Sequence, residues 1–188
     1  MSFVSIVARE TWISVVTDGR CMTEDEVVDE HYQKFAQPDS DRFIAYAGDK
    51  DKCELVVRGM RELGHVQLGL EDSAKHMAGL VQEVGRRDFK LFMATGSVGP
   101  TGAEVYAFST ESNQPIILKP GTMDICYTFL SNNGVSEESL NKEFAKLIQK
   151  YGDCSPDKAR QAQIELNTWA AGQDCSVNNI TFTCELKA

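Results

Sequence analysis

Two short runs of β-branched and aromatic residues open the chain, Phe3-Val4-Ser5-Ile6-Val7-Ala8 and Trp12-Ile13-Ser14-Val15-Val16, with only Arg9-Glu10-Thr11 between them. Runs of this kind so close together predict a hairpin of two buried, central strands. Thr17-Asp18-Gly19-Arg20 follows as a turn, and the acidic stretch from Glu24 to Glu30 is too polar for a core. Tyr32-Gln33-Lys34-Phe35 then leads to a third apolar run, Phe43-Ile44-Ala45-Tyr46-Ala47-Gly48, a strand that ends at a glycine.

From Asp49 the period changes. Cys53, Val56, Val57, Met60 and Leu63 recur at helical spacing, with Asp49 as N-cap and Gly64 as the stop. A second helix is capped by Asp72 or Ser73, carries Ala74, Met77, Ala78, Val81 and Val84 on one stripe, and ends near Gly85. Strand patterns return at Phe89 to Gly96 and Ala103 to Ser109, joined by a turn-rich link from Ser97 to Gly102. Shorter candidates lie at Ile116–Leu118 and Ile125–Leu130, and this half is expected to supply a second sheet. Ser136 caps a helix with Leu140, Phe144, Leu147, Ile148 and Tyr151 on one face. Ser155-Pro156 opens another, with Ala159, Ala162, Leu166, Trp169 and Ala170 inward, ending by Gly172. A final strand spans Ile180 to Leu186. Strands, two helices, strands, two helices and a strand predict a layered α+β domain.

The 188 residues are expected to form one domain, 1–188. A net charge of −9, with no cluster of Lys and Arg, argues against nucleic-acid or anionic-membrane partners. Arg9, Glu10 and Asp18 interrupt the N-terminal region before a signal peptide develops, and no run reaches the ~18 apolar residues that span a bilayer. Cys21, Cys53, Cys126, Cys154, Cys175 and Cys184 are far apart with no C-x-x-C pair, as reduced cytoplasmic cysteines are, and His31, His65 and His76 do not cluster. No metal or cofactor is expected.

Ser2 ahead of the first strand, the Asp18-Gly19-Arg20 turn after the second, Lys34 beyond it and Gly48 at the end of the third share one register. This pattern resembles the β-type subunits of the proteasome and the related peptidase subunit of bacterial ATP-dependent proteases, which are N-terminal nucleophile hydrolases. Counted from Ser2 as the terminal residue, Asp18, Lys34 and Gly48 fall in the family's positions without a gap. The resemblance implies a four-layer αββα sandwich, two antiparallel sheets between two helical layers. It implies that Ser2 is the nucleophile, that its own α-amine is the base, that Lys34 and Asp18 tune that amine, and that the Gly48 N–H is the oxyanion donor. Serine replaces the threonine more usual in the family. Ser131-Asn132-Asn133-Gly134 stands where relatives carry a turn whose serine assists the nucleophile; Ser131 is the nearest candidate, with Asn132 and Asn133 the alternatives for its place. Asp174-Cys175-Ser176, followed by Val177-Asn178-Asn179, stands where the family has Asp-x-x-Ser-Gly-Gly. Asp174 and Ser176 are carried over from it, the serine one position early and asparagines replacing glycines.

The implied function is cleavage of peptide or amide bonds by Ser2 after removal of Met1, acting on peptides or unfolded chains, in a homo-oligomer that can be a ring. An ATPase partner is not named by the sequence. Two other readings share the pattern: a catalytically inactive scaffold or binding subunit of the same fold, and a stand-alone amidase for a small molecule. Taken singly, Ser2, Asp18-Gly19 and Lys34 are also ordinary surface and turn residues.

Overall fold

The computed structural model describes residues 2–23, 26–62, 68–85, 90–131, 134–151 and 155–188. Strands β1 (Phe3–Arg9) and β2 (Trp12–Asp18) form the expected hairpin, paired from Val4↔Thr17 to Arg9↔Trp12. β3 (Cys21–Thr23) and β4 (Glu26–Asp29) make a separate antiparallel ribbon within the stretch expected to be a polar loop. It carries the exposed side chains Val27 and Val28. β5 (Phe35–Asp39), which the sequence reading did not distinguish, pairs with β6 (Arg42–Gly48).

Helix α1 (Lys50–Glu62) is capped as expected, the Asp49 carboxylate accepting the Lys52 N–H at 3.0 Å. Its expected last residues Leu63 and Gly64 lie outside the described residues. α2 (Leu70–Val84) starts earlier than expected, at Gly69, with no side-chain cap, and Ser73 is buried within the helix. β7 (Leu91–Gly99) and β8 (Gly102–Ser109) pair through to Gly99↔Gly102, so the expected six-residue link shrinks to the tight turn at Pro100 and Thr101. β9 (Ser112–Leu118) and β10 (Cys126–Ser131) follow. α3 (Glu137–Tyr151) is capped by Ser136, and α4 (Pro156–Gln173) by Ser155 with Pro156 in its first turn. β11 (Thr181–Lys187) ends the fold.

The strands sort into two larger antiparallel sheets, ordered β10-β1-β2-β11 and β5-β6-β7-β8-β9. The second half of the chain therefore does not supply a sheet of its own. β7, β8 and β9 extend the sheet begun by β5 and β6, while β10 and β11 flank the opening hairpin. Hydrogen-bond pairing between distant strands decides this partition, and local residue patterns do not report it.

Three apolar clusters define four layers. Ile6, Ile13 and Val15 meet Phe43, Ala94 and Val105 between the sheets. Phe3, Val7 and Trp12, on the other face of the first sheet, meet Leu140 and Phe144 of α3 and Leu166 of α4. Ile44, Leu91 and Met93 of the second sheet meet Val56 and Met60 of α1 and Met77 of α2. Burial of each large apolar side chain stabilises the fold by about 1.5–3 kcal/mol. Gln163 of α4 explains the serines interrupting the first two strands. Its amide donates to the Ser5 carbonyl at 2.8 Å and accepts the Ser14 hydroxyl at 2.6 Å, so the helix side of the sheet holds a satisfied polar bridge. The architecture is α+β, an αββα sandwich. Among the described residues no helix is long and apolar enough to cross a membrane.

Candidate functional site

Asp18 closes β2 opposite the start of β1, and its Oδ1 accepts the Phe3 N–H at 2.8 Å. The residue next to Ser2 is thus tied to a carboxylate. The same Oδ1 lies 2.5 Å from Lys34 Nζ, and Lys34 Nζ also donates to the Arg20 carbonyl at 2.6 Å. Asp18 Oδ2 accepts the Arg20 N–H at 2.9 Å. Asp18 is 0% and Lys34 2% exposed, so both charges are withdrawn from water and depend on each other. Burial pushes the Lys34 ammonium below the ordinary lysine range, and the Asp18 carboxylate works against that loss of charge.

Ser2, Lys34 and Gly48 line one small cleft, together with Cys21, Tyr32 and Tyr46. Ser2 is 6% exposed. The Tyr46 N–H donates to the Lys34 carbonyl at 3.0 Å, which docks β6 against the lysine. Two residues on, the Gly48 N–H faces the same edge of β6 by strand alternation. Gly48 has φ 121°, and a Cβ there would overlap the Lys90 carbonyl, so glycine is required. The Tyr32 hydroxyl donates to Glu54 Oε1 at 2.8 Å and lies 3.3 Å from the Tyr46 hydroxyl. Burial raises both phenols above their ordinary range. Burial also raises the Cys21 thiol, against the opposing charges of Lys50 and Lys34.

The other three expected site residues lie outside the lining of this cleft. Ser131 ends β10 directly opposite Phe3, which puts it at the same end of the sheet as Ser2. Asp174 Oδ1 accepts both the N–H (2.8 Å) and the hydroxyl (2.6 Å) of the fully buried Ser176. A side chain at Gly134 would press on the Asp174 carboxylate, so this pair sits against Gly134. Asn132, Asn133 and Met1 lie outside the described residues.

Sequence reasoning missed Glu30 and Asn178. The Glu30 carboxylate accepts from Arg20 Nε at 3.1 Å and Nη2 at 3.0 Å. It also accepts from Asn178 Nδ2 at 2.6 Å, and Asn178 Oδ1 accepts the Gly19 N–H at 2.9 Å. The signal was present only as asparagines where the resembling family has glycines. The hydrogen bonds from Arg20 and Asn178 hold the Glu30 carboxyl below its ordinary value. A carboxylate with a lowered folded pKa adds stability above its unfolded value of ~4.3 and loses it as pH falls through the folded one. The gap in melting temperature between wild type and Glu30→Gln is therefore expected to be constant at neutral pH and to close in acid. A gap that widens on acidification would refute the pairing.

No protein-family model and no curated protein matches the sequence. Solved structures do match the fold. Eukaryotic HslV from Trypanosoma brucei superposes with a TM-score of 0.69 at 14% identity, over 99% of each chain. Anbu, an ancestral beta-subunit, from Yersinia bercovieri superposes with a TM-score of 0.75 at 16% identity, over 98% of this chain and 81% of that one. At such identities the likeness is one of fold. The chain has the four-layer fold of the proteasome-like N-terminal nucleophile hydrolases.

Proposed function

We propose that this protein is a proteasome-like N-terminal nucleophile hydrolase that cleaves peptide or amide bonds with Ser2 once Met1 is removed. The observation that carries the reading is the buried Lys34–Asp18 pair, which lines the Ser2 cleft through Lys34 and is bonded to the Phe3 N–H. A buried ion pair is costly to build and adds little stability over an apolar pair. A use that repays this cost is a fixed positive charge near a terminal amine. With a reference pKa of ~7.7–8.0, that amine is half protonated near neutral pH. A nearby ammonium disfavours its second charge and keeps it neutral, ready to take the Ser2 hydroxyl proton. The Ser2 oxygen then attacks the carbonyl carbon, the Gly48 N–H meets the developing oxyanion, and the amine returns the proton to the leaving group. Water releases the acyl group by the same route. Ser131, opposite Phe3 at the end of β10, and the bonded Asp174–Ser176 pair take supporting roles near the terminus.

Intact mass spectrometry of untagged protein, alone and with a peptide epoxyketone, tests this. The reagent joins through its ketone to the hydroxyl and through its epoxide to the amine, with no leaving group. Loss of Met1, a gain of one whole reagent mass, and no gain in Ser2→Ala are expected. Retained Met1 with no adduct would overturn the reading in favour of a non-catalytic scaffold. We also propose a homo-oligomer, supported by the fold shared with HslV and with Anbu, itself an ancestral beta-subunit. Native mass spectrometry of the same sample reports it, and a monomer throughout would refute it.

A further inference from the structure

The Arg20 backbone touches both members of the buried ion pair: its carbonyl accepts from Lys34 Nζ and its N–H donates to Asp18. Whatever holds Arg20 therefore holds the lysine. Its guanidinium is gripped by both oxygens of Glu30 and by the Cys175 carbonyl. Glu30 is in turn held by Asn178 Nδ2, which bonds both its carboxylate (2.6 Å) and its carbonyl (3.0 Å). Asn178 Oδ1 takes the N–H of Gly19, the residue before Arg20. The Asn178 carbonyl accepts Asn167 Nδ2 of α4 at 2.7 Å, anchoring the assembly in the helical layer. Asn178 is 7% exposed and Asn167 is fully buried. This chain of contacts runs from a helix, through a loop asparagine, to the carbonyl on which Lys34 rests.

We propose that Glu30 and Asn178 are positioning residues that act through Arg20 to keep Lys34 charged beside Ser2. The importance of Lys34 rests on the proposed hydrolase reading; the clamp itself is testable without it. Lys34 is faced by Asp18 from β2, by Arg20 and by Cys21 from β3, and it shares its cleft with Tyr32, with Tyr46 from β6 and with Lys50 from α1. Of these, Asp18 and the Arg20 carbonyl favour the ammonium by direct hydrogen bonds. A hydrogen bond to a charged group is strong enough that misplacing the carbonyl raises the acid dissociation constant of Lys34 about tenfold or more.

The test is the titration of Lys34 by carbon NMR of lysine labelled at Cε, assigned with Lys34→Met, in wild type, Asn178→Ala and Glu30→Gln. Lys34 is expected to lose its proton at lower pH in both variants, the milder Glu30→Gln giving the smaller change. Where Asn178→Ala does not fold, Glu30→Gln decides alone. An unchanged Lys34 titration overturns the proposal. Epoxyketone labelling against pH gives the second readout: a weaker lysine charge lets the Ser2 amine hold its proton longer. The pH dependence of labelling should shift to higher pH in the variants and reach the wild-type rate in alkali. A uniform loss at every pH would mark a merely structural role and count against the clamp. If wild type takes no label at any pH, the nucleophile reading fails while the Lys34 titration still decides the positioning role.

Discussion

Asp18→Asn and Lys34→Met, made singly, are each expected to lower the stability of the protein by about 3–5 kcal/mol, because each leaves the other member buried without its counter-charge. In Asp18→Asn the Lys34 ammonium keeps only the Arg20 carbonyl as a strong acceptor. In Lys34→Met the Asp18 carboxylate keeps only the N–H groups of Phe3 and Arg20. The double variant removes both charges and is expected to be more stable than either single one, since an apolar substitute for a buried pair is often close to neutral. All three variants are expected to lose epoxyketone labelling. Stability and chemistry would thus separate: one recovers in the double variant and the other does not. Urea denaturation with a double-mutant cycle measures the first and mass spectrometry the second. Two single variants as stable as wild type would show that the pair is not the buried unit described.

Gly48→Ala combines a backbone and a chemical effect. At φ 121° an alanine is strained, at a cost of about 1–3 kcal/mol, and its Cβ must also displace the Lys90 carbonyl just before β7. Any relief moves the 47–48 peptide, and with it the N–H assigned to the oxyanion. Loss of one such donor typically slows acyl transfer ~10²–10³-fold. Labelling of Ser2 is expected to slow by that order in protein that remains folded by circular dichroism. A variant that labels at the wild-type rate would remove Gly48 from the mechanism.

Local chemistry made much of the fold legible. The Ser155-Pro156 helix start, the Ser136 cap and the β1–β2 hairpin each depend on neighbours in sequence, and each appears as expected, the hairpin link shortened to Glu10 and Thr11 because Arg9 pairs with Trp12. β4 and β5 were not legible. β4 lies in an exposed ribbon with two adjacent exposed valines and no inward face, and β5 is a short edge strand containing Pro38. The assignment of β10 to the first sheet depends on the pairing of Ser131 with Phe3, which no window of sequence contains. The site divides in the same way. Asp18, Lys34 and Gly48 were found through spacing within one short stretch. Glu30 and Asn178 were not, because their bond links residues 148 positions apart and each alone is an unremarkable polar loop residue.

The flanking of β1 by β2 on one side and β10 on the other also bears on when the candidate site can form. The first hairpin closes early, between neighbours. The opposite side of β1 stays open until strand partners about 120 residues downstream arrive, and pairing over such separations is slow. β11 and the loop bearing Asn178 come later still. A chain emerging from the ribosome would carry Ser2 long before Asn178, and the contacts proposed to hold Lys34 beside it could not form until the loop before β11 had followed. Synthesis itself would delay any cleaving activity until the fold that confines it is complete.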